Sequence, residues 1–198
     1  DGYPPINATE SIPSKPNYII SNFQMVGDLD EEPSGELCQF NILLQDVPNE
    51  KNYYKLKIKC ANTFNSKEKR CVYEVEDPSF LIPINRYNSS NNYYKGKNGY
   101  FTDELFEGEE KNLFITVEKP EGVYDHFYVE LNSFSENLYR FHLTRKEQNR
   151  DTNNFLFNSE PIFIESNIEG GYGIFGATAN SYKAYIPTYF PTNGWMEY

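Results

Sequence analysis

The sequence predicts an all-β protein: an antiparallel β-sandwich, immunoglobulin-like or related, with one short helix. Three observations predict it. Aromatic residues are abundant, with 17 Tyr and 15 Phe in 198 residues, and such side chains suit pleated, half-buried surfaces. Short runs alternate apolar and polar residues with period two. Clusters of Gly, Pro, Asn and Asp separate these runs, and too few helical stretches lie between them for a parallel sheet.

Taken in order, Asp1 to Pro16 is proline-rich and irregular, and is expected to be a connecting segment from a preceding domain. Residues 17–198 are expected to form a single sandwich domain. Tyr18 to Met25 reads as the first strand. Gly27 to Gly35 surrounds Pro33 with acidic residues and reads as a loop. Leu37 to Gln45 is a strong strand with Phe40, Ile42 and Leu44 on one face. Tyr54, Leu56, Ile58 and Cys60 alternate with Lys55, Lys57 and Lys59, the pattern of a strand with one wet face. Cys71 to Glu76 is expected to return as its hairpin partner.

Phe80 to Ile84 is apolar but carries Pro83, which suits an edge strand or a buried loop. Asn85 to Tyr100 has the composition of an exposed loop. Asn112 to Glu118 and Phe127 to Phe134 are two further strands, joined by a turn at Pro120 to Gly122. Ser135 can N-cap a helix with Glu136 in its first turn and Leu138, Phe141, His142 and Arg145 on one face. The alternation of Tyr139, Phe141 and Leu143 leaves a strand as the competing reading. Two late strands, one at Ile162 to Ile164, are expected before a glycine-rich turn, and a last one at Tyr182 to Ile186.

The formal net charge is -11 and the pI about 4.7. Such a surface repels phosphate backbones and anionic headgroups, so neither nucleic acid nor a bare membrane surface is an expected partner. No run approaches the roughly 20 apolar residues that span a bilayer.

Catalytic and metal signatures are sparse. Asp125 and His126 are adjacent and would point to opposite faces of a strand. His126 therefore reads as a strand-surface residue, and His142 as a helix-face packing residue. There is no Gly-x-Ser-x-Gly elbow and no His or Cys spacing typical of structural zinc. Asp28, Asp30, Glu31, Glu32 and Glu36 could offer oxygens to calcium, but their spacing is not an EF-hand loop, and a solvated acidic loop is the default. No cofactor and no catalytic residue is expected. Tyr87, Tyr93, Tyr94 and Tyr100 could form an aromatic platform for a ligand or partner, although most loop tyrosines pack on their own domain. Cys60 and Cys71 would face one another across a hairpin, where a disulfide is geometrically open; the odd third cysteine, Cys38, weakens a disulfide framework. Cys38 itself reads as a buried thiol.

Gly171-x-Gly173-x-x-Gly176 matches the dinucleotide-binding fingerprint letter for letter. That fingerprint needs a helix and a second parallel strand to follow. Here a strand-like alternation follows at once, so the glycines read as turn formers.

The same segment carries a family resemblance. Pro161, Ile164, Ser166, Asn167, Ile168, Gly171, Gly173, Ile174, Phe175, Gly176 and Ala177 resemble the C-terminal signature of the Bacteroidota outer-membrane lipoprotein family of domain of unknown function 4249 (DUF4249). Gly170 stands where that family usually has Asn. Asp46 with Asn52-Tyr53-Tyr54-x-Leu56, the run Phe101 to Gly108, and Gly2-Tyr3 through Ile12-Pro13 are similar to further family motifs in the same order. The resemblance covers most of the chain but only the C-terminal half of a usual member; the lipid anchor and an N-terminal sandwich would lie outside it.

The resemblance implies a non-enzymatic domain of an outer-membrane lipoprotein, on the periplasmic or cell-surface side. Membrane contact would come only through the anchor. It also implies a TonB-dependent (SusC-like) transporter as partner and an accessory role in nutrient uptake. The alternative is a freestanding glycan- or peptide-binding module at the cell surface. Within the signature, Ile168, Ile174 and Phe175 are expected to pack.

Overall fold

The computed structural model describes residues 5–26, 37–61, 68–80, 93–118, 126–151 and 163–185. Among them, the strands are β1 (Asn17–Val26), β2 (Leu37–Gln45), β3 (Tyr53–Ala61), β4 (Glu68–Arg70), β5 (Val72–Glu76), β6 (Tyr93–Gly96), β7 (Gly99–Thr102), β8 (Glu110–Glu118), β9 (His126–Phe134) and β10 (Thr178–Tyr185). Helix α1 spans Glu136–Asp151, and a 3-10 turn spans Pro78–Phe80. One sheet runs β1-β2-β8-β5-β6; the other runs β10-β9-β3-β4, with β7 also on β3. Every strand pairing is antiparallel. The molecule is the all-β sandwich that its alternating runs predict.

Period two decides which side chains meet between the sheets. Cys38, Phe40, Ile42 and Leu44 of β2 are buried, as are Tyr54, Leu56, Ile58 and Cys60 of β3. Leu113, Ile115 and Val117 of β8 and Phe127, Val129 and Leu131 of β9 complete the middle of the core. Each large side chain so buried contributes about 1.5–3 kcal/mol of transfer free energy. Tyrosines bolt the sheets together. Tyr18 on β1 donates its hydroxyl to the Val129 carbonyl at 2.7 Å, and Tyr73 on β5 donates to the Leu56 carbonyl at 2.7 Å. Burial holds both phenols well above their ordinary pKa, so they stay donors.

Strand β1 is interrupted between Ser21 and Gln24, where Asn22 takes a φ of 55°. Asparagine tolerates that left-handed backbone, and the irregularity lets Phe23 stack on Phe40 and lean on Phe127.

Several expectations are corrected. Cys71 to Glu76 is not the hairpin partner of β3. Only Glu68–Arg70 pairs there; the Cys71 N–H reaches the Ile58 carbonyl at 2.9 Å, and β5 then joins the other sheet between β6 and β8. This register puts Cys60 across from Lys69, not from Cys71. The two sulfurs are not joined, and both are buried. Each thiol also approaches the Lys69 carbonyl, at 3.6 Å and 3.8 Å. A hydrogen bond to Cys60, then burial, pushes the Cys71 thiol far up. Cys38 is a buried thiol, as its apolar run suggests.

His126 is buried, not on the surface: it opens β9 opposite Ala61, and the Tyr128 ring covers it at 4.7 Å. Helix α1 forms in place of the competing strand: Tyr139 is buried, and Leu138 and Leu143 pack against the core. Phe163 and Ile164 are not in a strand; their side chains are exposed. The last strand starts at Thr178 and pairs along β9 as far as Phe127. The acidic residues of 27–36 and Tyr87 lie outside the described residues.

Candidate functional site

Two hydrogen-bonded centres organise the ends of the sandwich, and both are built from sequence motifs that are far apart in the chain. The first joins the end of β2, the start of β3 and the turn after β7. The Tyr54 hydroxyl donates to Asp46 Oδ1 at 2.6 Å, and the Asn52 side chain donates to the same oxygen at 3.4 Å. Asp46 Oδ2 accepts from the Gly108 N–H at 2.8 Å. Asp103 Oδ2 accepts from the Asn52 N–H at 2.6 Å, while the Asp103 N–H donates to the Asn52 carbonyl. Phe101 seals this centre, 5.1 Å from the Tyr54 ring. Burial raises the Asp103 carboxyl above its ordinary pKa; the Asn52 N–H opposes this and the Asp46 carboxylate adds to it. These carboxylates are occupied as acceptors of backbone and tyrosine donors, which is a scaffold role.

The second centre is a clasp around residues 163–177. Asn167 acts like one more residue of a β-ladder. Its Nδ2 donates to the Phe175 carbonyl at 2.7 Å, and its Oδ1 accepts from the Phe175 N–H at 2.9 Å. Glu10 Oε2 accepts from Asn137 on α1 at 2.9 Å and from Asn167 at 3.4 Å. Asn7 and Glu169 exchange backbone hydrogen bonds. The Ser135 hydroxyl, expected to cap α1, accepts the Ala177 N–H at 3.1 Å, and the Ser135 N–H returns a bond to the Ala177 carbonyl. One loop is thereby tied to the N-terminal segment and to the start of α1.

The glycines serve this clasp. Gly170 has φ 77°, a left-handed backbone that glycine takes without cost and asparagine takes more readily than other residues. That accounts for Gly at a position where the resembled pattern carries Asn. A Cβ on Gly176 would stand 2.6 Å from the Leu138 Cβ, so the loop lies hard against α1. Ile168 packs over the glycine turn, 3.2 Å from where side chains would begin at Gly171 and at Gly173. Ile168 and Ile174 are half-buried, in line with a packing role. Phe175 departs from it: its backbone is held by Asn167 while its ring is 54% exposed.

The clasp presents apolar side chains to solvent. Tyr172 is fully exposed, Phe163 is 86% exposed, and Ile6 beside Gly170 is 63% exposed. Two of the four tyrosines expected to form an aromatic platform are packed inward. Tyr94 is buried against Tyr73 and Phe80, and its hydroxyl accepts the Asn98 N–H at 3.0 Å. Tyr100 is buried between Phe134 and Tyr139. Both lie in or beside short strands, β6 and β7, which the Asn- and Gly-rich composition concealed. Tyr93 opens β6. Sequence reasoning missed Glu10, Phe163 and Tyr172. Only an isolated acidic residue in a polar segment marked Glu10, and nothing local says that it meets Asn167.

The chain is therefore an antiparallel sandwich domain closed by a glycine-rich clasp over a helix N-terminus, and its segment 171–176 leads into an antiparallel strand, not a crossover helix. It belongs to the family described as domain of unknown function (DUF4249), whose sequence profile matches residues 1–184. No curated protein matches the sequence.

Proposed function

We propose that this chain is a non-enzymatic docking domain of an outer-membrane lipoprotein, an accessory to a TonB-dependent transporter in nutrient uptake. Membrane contact in this reading comes only through a lipid anchor outside the chain. The observation that carries the reading is the clasp. A loop fixed by side-chain and backbone hydrogen bonds holds Tyr172, Phe163 and Phe175 out in water. Large aromatic side chains held out along one fixed loop suit a contact site, since exposed aromatics are the residues that anchor protein interfaces. The net charge of -11 disfavours contact with anionic lipid and leaves a protein as the suited partner for these rings.

A non-enzymatic role agrees with how the ionisable groups are used. Asp46 and Asp103 accept scaffold hydrogen bonds, and His142 stacks on Phe134 at 5.4 Å. The test is purification of the full-length lipoprotein from its native membrane in mild detergent, as wild type and as Tyr172→Ser with Phe175→Ser. Stoichiometric recovery of a TonB-dependent transporter with the wild type, and its loss with the double variant, is expected. Recovery of the wild type alone sinks the docking role; equal recovery with both sinks the clasp as the contact.

A further inference from the structure

The outer face of the second sheet, beside α1, is a separate surface. Register sets its rows of side chains. Tyr100, Lys55 and Asn132 stand side by side across β7, β3 and β9. Lys57, Glu130 and Tyr182 form the next row across β3, β9 and β10. Lys55 Nζ lies 5.0 Å from the Tyr100 ring centroid and 5.7 Å from that of Phe134. Lys146 reaches the Tyr100 ring from α1, at 5.8 Å.

On this face the described anions are already engaged by the strand lysines, Glu68 by Lys59. Glu130 is already shared by Lys57 and Lys59. Among the described residues no ion pair to Lys55 is seen; its ammonium rests against the two rings, with Glu130 attracting it from further off. Burial lowers its pKa, with Glu130 opposing and Arg70 adding to the effect. His142 is lowered likewise, by burial and then by Lys55, Arg145 and Lys57. Half-buried cations that repel one another are costly until an anion joins them.

Beneath Lys55 lies a second unmet need. The Asn132 Nδ2 donates to Glu130 Oε1 at 2.9 Å. A carboxylate only accepts, so this bond fixes which way the amide faces. Asn132 Oδ1 is then buried and without a hydrogen-bond partner. Such an acceptor is costly to leave unmade. An occupant must therefore bring a negative group for Lys55 and a hydrogen-bond donor for Asn132, about 5 Å apart by cross-strand spacing. Glu130, next to Asn132, excludes the reverse orientation.

We propose that this shelf binds a hydroxylated organic acid of the uronic-acid type. Its carboxylate sits between Lys55 and Lys146, and a ring hydroxyl donates to Asn132 Oδ1. The flexible stem of Lys55 swings outward to admit it. Tyr182, partly exposed and stacked on Tyr128 at 5.1 Å, offers an aromatic face to the sugar ring. This site is independent of the clasp.

The test is titration calorimetry of the chain with glucuronate, glucose and acetate. Saturable binding of glucuronate is expected, with glucose and acetate roughly tenfold weaker or more, since each lacks one of the two charge-assisted or buried contacts. Lys55→Met and Lys146→Met should each weaken glucuronate roughly tenfold. Lys146 stands on α1, outside the strand ladders, so its variant keeps the test decisive should Lys55→Met misfold. Tyr172→Ser should leave glucuronate affinity unchanged, which separates this site from transporter docking. No saturable heat with glucuronate overturns the proposal. So does equal binding of acetate, or unchanged affinity in folded Lys146→Met.

Discussion

The centre at Asp46 and Asp103, half-buried at the first and buried at the second, and the clasp at Asn167 use the same device to different ends. In each, one short side chain ties several groups together: Asp46 accepts from Tyr54, Asn52 and Gly108, and Asn167 both donates to the Phe175 carbonyl and accepts from its N–H. The first is sealed by Phe101 and Tyr54, and Asp103 within it is 1% exposed. The second is open to water and carries exposed rings. A buried polar centre that loses a member leaves its partners unsatisfied; an exposed one lets water take the place. The first therefore governs stability, and the second governs what the surface presents.

That contrast can be broken by substitution. Asp46→Ala should cost about 2–3 kcal/mol in urea denaturation, because it strands the Tyr54 hydroxyl against Phe101, while water takes over the exposed Gly108 N–H; a loss no larger than that of Asn167→Ala would erase the distinction. Asn167→Ala should cost about 1–2 kcal/mol, the two bonds to Phe175 being partly replaced by water. At Gly170, alanine should destabilise by about 1 kcal/mol because of its positive φ, and asparagine by less; equal effects in thermal melts would deny the left-handed explanation. Tyr172→Ser should change stability by no more than about 0.5 kcal/mol, yet remove transporter recovery.

The two carboxylates with opposite shifts sharpen the comparison by pH. Asp103 is raised, so its contribution is fully present below the ordinary aspartate pKa and is lost as pH rises through the raised value. Asp103→Asn keeps an acceptor for the Asn52 N–H and should flatten that leg of the stability profile. Glu130 has the other sign. Burial pushes it up, but the hydrogen bonds from Lys57 and Asn132 and the charges of Lys57 and Lys59 outweigh that, so it ends lowered. Its contribution is present above the ordinary glutamate pKa and is lost as pH falls through the lowered one. Glu130→Gln should therefore weaken the protein at neutral pH and have little effect in acid, read by denaturation across pH.

The legibility of the fold followed the reach of each signal. Strands β2, β3, β8 and β9 were readable because period-two alternation is a local imprint of burial on one face. Helix α1 was readable from a plausible cap and its apolar face, although Ser135 turned out to hold Ala177. The β5 crossover was not readable, since alternation says that a strand forms and not which sheet it joins. Tyr94 and Tyr100 misled because an Asn- and Gly-rich composition describes the backbone's freedom, while their burial depends on the Phe80 and Phe134 rings brought from elsewhere.

By itself the sequence determined the all-β class, most of the strands, the turn-forming role of the glycines and the family to which the chain belongs. All of these are carried by spacing, backbone preference or ordered motifs. Tertiary structure decided which motifs meet. Asp46 and Asp103 were separate echoes until β3 brought Asn52 between them. Glu10 and Asn167 were unrelated until the N-terminal segment crossed the clasp. Lys55 and Asn132 became a cation and an unmet acceptor side by side only through strand register. Hydrogen bonds and charge act through space over a few ångströms, and distance along the chain carries no record of that.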